Sequence, residues 1–212
     1  MRVIVFATHK GGCGKTTLAT CLAVAAQEAG ESVAIFDLDP KSCAIRWGSK
    51  RKDRNLEVRR IAIARLSPAL QAAAKRNVTL SIIDTPALES PAAVAAVTRA
   101  DLTIVPVKPS ALDIWAAVVT GRRMNVLGEK FVFLLNQCPK QRQSRRMRTS
   151  IAELEAAGPL LVPQIGMSQR FLEAVAQGKG VTEIDPKGGT AQEMRSLWLA
   201  IKDWLLFTPA RN

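Results

Sequence analysis

The sequence predicts a doubly wound α/β fold, a mostly parallel sheet with helices on both faces, formed as one domain over residues 1–212. Three observations predict it. Short apolar runs bounded by turn residues recur along the chain, and each is followed by a segment of helical length. A glycine-rich segment follows the first run. Two later runs end in aspartate, at the carboxyl edge where open α/β sheets bind ligands.

In chain order, Val3 to Ala7 suits a buried strand, and His9-Lys10-Gly11-Gly12-Cys13-Gly14-Lys15-Thr16-Thr17 follows it. Three glycines let backbone wrap a phosphate, and the segment opens onto a helix N-terminus whose unpaired N–H groups and dipole favour anions. Gly11, Gly12, Cys13, Gly14, Lys15, Thr16 and Thr17 are therefore the predicted nucleotide-binding run. Lys15 reaches the β/γ-phosphates, and Thr16 supplies a hydroxyl to Mg²⁺. The helix from Thr17 ends at Ala29, before Gly30. A second strand, Val33 to Phe36, leads into Asp37-Leu38-Asp39-Pro40-Lys41, where alternation puts Asp37 and Asp39 on one side of an extended backbone. Leu80 to Ile83 ends in Asp84, which takes the form of the Mg²⁺-linked aspartate of phosphate-loop NTPases.

Further strands are expected at Leu102–Val107, Phe131–Leu135 and Leu160–Val162. The helices between and after them run roughly from Ser90 to Arg99, Leu112 to Leu127, Ser144 to Ala157, Ser168 to Gln177 and Thr190 to Leu206. There is no internal repeat and no break in composition.

Thirty Lys and Arg against eighteen Asp and Glu give a net charge of +12, which points to a polyanion as partner. The densest run, Lys140 to Arg148, holds five cations in nine residues. Few aromatics interleave them, so phosphate contact with double-stranded DNA fits better than base stacking. Arg142, Arg145, Arg146 and Arg148 are the predicted DNA contacts, with Lys187 and then Arg195 behind them. Cysteines 13, 21, 43 and 138 lack metal-site spacing, and Cys13 reads as a small filler of the loop. No apolar run reaches the length of a membrane span, and Arg2 leads straight into the first strand. The expectation is a cytoplasmic protein without a signal peptide.

Residues 10–17, Lys-Gly-Gly-Cys-Gly-Lys-Thr-Thr, resemble the deviant phosphate loop of the ParA/MinD family, closest to its small plasmid-partition members. The resemblance implies that Lys10 crosses a dimer interface to the partner's ATP, so that two copies close face to face only with ATP. It implies that Asp39 orients the attacking water, with Asp37 near the metal. Lys41 departs from the family's Gln at that place. Residues 104–113 resemble the segment that borders the dimer interface, while Asn136 and the loop from Pro163 to Arg170 resemble the part flanking the adenine. Lys10, Lys15 and Asp39 are thus the expected catalytic set, and Thr16, Asp37 and Asp84 the metal set.

By the same resemblance, the chain works with ATP and Mg²⁺, forms an ATP-dependent homodimer and binds DNA nonspecifically on the nucleoid. It positions plasmid, chromosomal or other cargo, and is released by hydrolysis that a ParB-like or other adaptor stimulates. A MinD-like rival would attach to membranes by its last helix. Here Leu197, Ile201, Trp204 and Leu205 share one face with only Lys202 and Asp203 opposite, which suits packing on the sheet, so a membrane is not expected. A small-molecule phosphoryl-transfer enzyme would need a lid with arginines that no segment supplies. An iron-protein-type reductase would need a companion for Cys138.

Overall fold

A computed structural model describes residues 1–140 and 144–207, apart from the side chain of residue 146. Its centre is one parallel sheet of six strands: β1 (Arg2–Phe6), β2 (Val33–Asp37), β3 (Glu57–Arg60), β4 (Leu80–Asp84), β5 (Leu102–Val107) and β6 (Phe131–Leu135), in the order β3-β2-β4-β1-β5-β6. All but β3 read as largely apolar runs because helices cover both faces of the sheet.

On one face lie α1 (Lys15–Glu28), α2 (Cys43–Lys50), α7 (Gln169–Ala176), α8 (Val181–Ile184) and α9 (Gly189–Phe207), around Ile4, Phe6, Ile35, Ile82 and Ile104. The other face carries α3 (Leu66–Lys75), α4 (Pro91–Val97), α5 (Ala111–Val126) and α6 (Arg145–Glu155), around Val5, Phe36, Ile83, Val105 and Phe133. Successive strands add on opposite sides of the β1/β4 pair, so the turns after β1 and β4 leave the sheet at its topological switch point.

Two expectations need correction. Leu160–Val162 is not a strand; the sheet meets it only as a single bridge between Phe133 and Leu160, because the chain arrives from α6 and turns away again. In the last helix Trp198 is only 3% exposed while Trp204 is 37% exposed. Met194, Leu197, Trp198, Ile201 and Leu205 recur at spacings of three, one, three and four, and this stripe is the one that meets the sheet. Strand β3, with Arg59 and Arg60 exposed at the sheet's edge, was hidden in the sequence among charges. Edge strands commonly carry such cations, which discourage further pairing.

Candidate functional site

The segment between β1 and α1 turns sharply, with Gly12 at φ +77° and Gly14 at φ +92°. Gly14 is needed twice over, because a Cβ there would also come within 2.5 Å of Asn136 Nδ2. That amide donates to the Cys13 carbonyl at 2.8 Å, and Gln137 Nε2 donates to the Gly12 carbonyl at 3.2 Å. Two side chains from the end of β6 thus hold the loop's carbonyls away from the concave side and leave its N–H groups to an anion. Cys13 is buried, its thiol donates to the Lys10 carbonyl at 3.2 Å, and burial pushes its pKa up, so it fills space rather than acting as a low-pKa thiol.

At the start of α1, Thr16 Oγ1 donates to Asp84 Oδ2 at 2.6 Å. Asp84 Oδ1 is buried and has no hydrogen-bond partner. Burial raises the Asp84 pKa to about 7; the Thr16 hydrogen bond and the Lys15 charge oppose the rise, and the Asp37 and Asp39 carboxylates add to it. Asp37 pairs in register with Asp84 across β2 and β4, and burial raises its pKa as well. Its two oxygens accept the N–H groups of Asp39 at 2.9 Å and Ile45 at 3.2 Å, so Asp37 braces the turn into α2. Asp39 is half-exposed at the rim and caps the turn through the N–H of Lys41 at 2.9 Å. The orphaned carboxylate oxygen of Asp84 and the Thr16 hydroxyl beside it are oxygen donors of the kind Mg²⁺ prefers, while no three acids are grouped as a ready-made metal cluster among the described residues.

Lys10 lies beside α5 in the ligand-free chain. Its Nζ pairs with Asp113 Oδ1 at 3.0 Å. Asp113 is buried in the first turn of α5, and its other oxygen accepts the hydroxyl of Ser110, the residue that caps the helix. Two turns further along, Thr120 Oγ1 lies 2.7 Å from His9 Nδ1. The inner side of α5 therefore holds two consecutive residues of the loop. Lys108, between β5 and α5, brings its Nζ to 3.7 Å from the place a Cβ on Gly12 would occupy.

Next to the loop opens a cavity of about 280 Å³, whose lining includes Gly14, Thr17, Asn136, Gly166, Met167 and Phe171. Asn136 and, from the loop expected to flank the adenine, Gly166, Met167 and Ser168 line it, whereas Pro163 is not among its lining residues. The expected DNA contacts are scattered. Arg145 and Arg148 are exposed on the first turns of α6, which Met147 and Leu154 anchor to the core. Lys187 is exposed before α9, on the opposite face of the sheet from α6. Arg142, and the side chain of Arg146, lie outside the described residues.

His9, Thr120 and Gln137 were not expected as parts of the site, and Lys108 and Asp113 were expected only within the segment that borders the dimer interface. Asp113 also carried a local signal. Ser110-Ala111-Leu112-Asp113 has the Ser-x-x-Asp spacing of a helix-capping box.

The profile of the CobQ/CobB/MinD/ParA nucleotide binding domain matches residues 4–181. The chain belongs to this family. It is a phosphate-loop ATPase of the ParA/MinD type. The ATPase is 27% identical over 201 residues to the maintenance of carboxysome distribution protein A of Halothiobacillus neapolitanus, covering 90% of this chain and 91% of that one. It is 26% identical over 132 residues to Protein ParA of Rhizobium radiobacter, covering 61% and 58% of the two chains. Its fold matches that of the MinC:MinD cell division complex of Aquifex aeolicus, with a TM-score of 0.81 at 16% identity, covering 100% of this chain and 99% of that one.

Proposed function

We propose that this ATPase is a positioning switch of the ParA type, built as a single domain over residues 1–212. ATP·Mg²⁺ closes two copies into a dimer, the dimer holds duplex DNA through backbone phosphates, and hydrolysis stimulated by an adaptor protein releases it. The observation that carries this reading is the Lys10–Asp113 ion pair, 3.0 Å long at the edge of the phosphate loop. Lys15 alone matches the phosphate-gripping lysine of an ordinary phosphate loop, which leaves Lys10 for a second task. Its side chain is 43% exposed, so it can exchange Asp113 for an anion arriving from a second copy.

In this scheme Gly11 to Thr17 cradle the phosphates, Thr16 and Asp84 hold Mg²⁺, and Asp37 fixes the turn that presents Asp39 to the attacking water. Lys41 adds a cation at that rim. Asn136 and the lining of the adjacent cavity receive the base. DNA contact falls to Arg145 and Arg148, because α6 begins at the same end of the sheet as the phosphate loop. Lys187, across the sheet, is not part of one continuous surface with them in a single copy.

The relative matched along most of both chains is named for carboxysome distribution, and a shorter match is named ParA. A large intracellular body is therefore the proposed cargo, moved on the nucleoid. The experiment is a DNA-binding titration with ATP, ADP and no nucleotide at two salt concentrations. Binding with ATP alone, weakening steeply with salt, supports the scheme; binding that ignores the nucleotide contradicts it.

One observation favours a second reading. Leu206 and Phe207, at the end of α9, are 70% and 89% exposed, as an apolar membrane anchor would be. No described helix is long and apolar enough to cross a membrane, so any such attachment would be interfacial. ATP-dependent flotation with anionic vesicles, lost in Phe207→Ser, tests it.

A further inference from the structure

Lys108 stands at a constrained point of the site. β5 pairs with β1, and the Ala7 N–H donates to the Ile104 carbonyl at 3.1 Å, so the root of the phosphate loop is fixed beside the strand that delivers Lys108. Pro109 follows directly, which holds the backbone of the preceding residue extended, and the Ser110 N–H donates to the Lys108 carbonyl at 2.8 Å. The ammonium then rests above Gly12, 3.7 Å from where a Cβ would stand. A Cβ there would meet it in ordinary van der Waals contact, so the ammonium lies directly against the loop.

Three ammonium groups thus belong to one loop. Lys10 is paired with Asp113, whereas Lys108 has no ion-pair or hydrogen-bond partner for its side chain among the described residues. An ammonium without a partner, held against the phosphate loop, is placed to receive an anion bound there. The place of that anion follows from the loop. With the β-phosphate on the helix N-terminus at Lys15 and Thr16, a further phosphate extends toward the earlier loop residues, the ones over which Lys108 lies.

We propose that Lys108 is a specificity-determining residue that distinguishes ATP from ADP by contacting the terminal phosphate within its own subunit. The inference rests on the nucleotide reading above. Lys15 serves both nucleotides, since it reaches the β-phosphate too; Lys108 serves the one with the third phosphate. A point charge on a flexible stem is suited to this, because it can follow the phosphate as hydrolysis proceeds.

The test measures equilibrium binding of ATP and ADP, each with Mg²⁺, by titration calorimetry on the full chain in a Lys10→Ala background, so that dimer closure does not contribute. Lys108→Met is expected to weaken ATP binding about five- to tenfold and ADP binding less than twofold, with Lys108→Arg retaining most of the ATP affinity. Equal weakening of both nucleotides, or of neither, overturns the proposal. So does a Lys108→Arg variant as weak for ATP as Lys108→Met. Lys15→Gln in the same background separates the two levels: if it binds both nucleotides normally, the nucleotide reading itself fails. If it loses both while Lys108→Met leaves the ATP/ADP ratio unchanged, only the role of Lys108 fails.

Discussion

Asp113 and Asp84 are both buried acids at the carboxyl edge of the same sheet, yet their surroundings treat them in opposite ways. Asp113 receives an ammonium on one oxygen and a hydroxyl on the other. Asp84 receives one hydroxyl, and its second oxygen is left buried and unpaired. A satisfied carboxylate is a holding device, and it has to be given up before Lys10 can act elsewhere. An unsatisfied one is a vacancy for charge, costly in the free protein and useful once a divalent cation arrives. In the proposed switch the site therefore has a part that must release and a part that must be filled, with ATP·Mg²⁺ acting on both.

The largest effect that would break this contrast is expected at Lys15. Lys15→Gln removes the cation that serves the phosphates and should abolish ATP binding, and with it dimerisation and DNA binding, as calorimetry and sedimentation would record. Next comes Asp84, where the two consequences of an unpaired oxygen should separate. Its folded pKa, about 7 against an ordinary 3.8, lies above the unfolded one. The folded state therefore holds the proton more tightly. The contribution of Asp84 to the stability of the ligand-free chain should be most favourable below about pH 4, fall as pH rises through 7, and level off above it. At about 1.36 kcal/mol per pKa unit the cost has an upper bound of roughly 4 kcal/mol. Asp84→Asn should flatten that slope and melt higher than the parent at pH 8 without ligand, while losing the extra stability that Mg²⁺·ATP confers. Thermal melts across pH, with and without Mg²⁺·ATP, check both halves.

A smaller change is expected at the satisfied acid. Asp113→Asn keeps the acceptor for Ser110 but weakens the hold on Lys10, so ATP-driven dimerisation should tighten by about two- to fivefold in sedimentation at graded protein concentration. Weaker dimerisation would mean that Asp113 positions Lys10 for its task rather than withholding it. The mildest effect belongs to α6. Arg145→Ala should lower the log–log salt slope of DNA binding by about 0.9 and leave ATP binding unchanged.

The same contrast explains what the sequence could reveal. The loop from Lys10 to Thr17 and the aspartates at strand ends were legible, because short-range backbone geometry requires those residue types at those spacings. The apolar runs of β1, β2, β4, β5 and β6 were legible because a parallel sheet is buried on both faces. β3 was not, since an edge strand bearing Arg59 and Arg60 has no such signature. The partners of Lys10 and His9 were not either. Asp113 and Thr120 come from α5, more than a hundred residues away, and what joins them to the loop is the placing of β5 beside β1. Nor does spacing reveal that Asn136 holds the loop's own backbone, or that Lys187 and α6 fall on opposite faces of the sheet.

In the proposed switch, dimer closure depends on Lys10 exchanging Asp113 for the nucleotide of a second copy. Sedimentation velocity with Mg²⁺·ATP, on Asp39→Ala to stop hydrolysis and on the same chain with Lys10→Ala added, tests that directly. The account predicts a dimer for the first protein with ATP and not with ADP, and a monomer for the second under both conditions while ATP still binds. An ATP-dependent dimer that persists without Lys10 would contradict it.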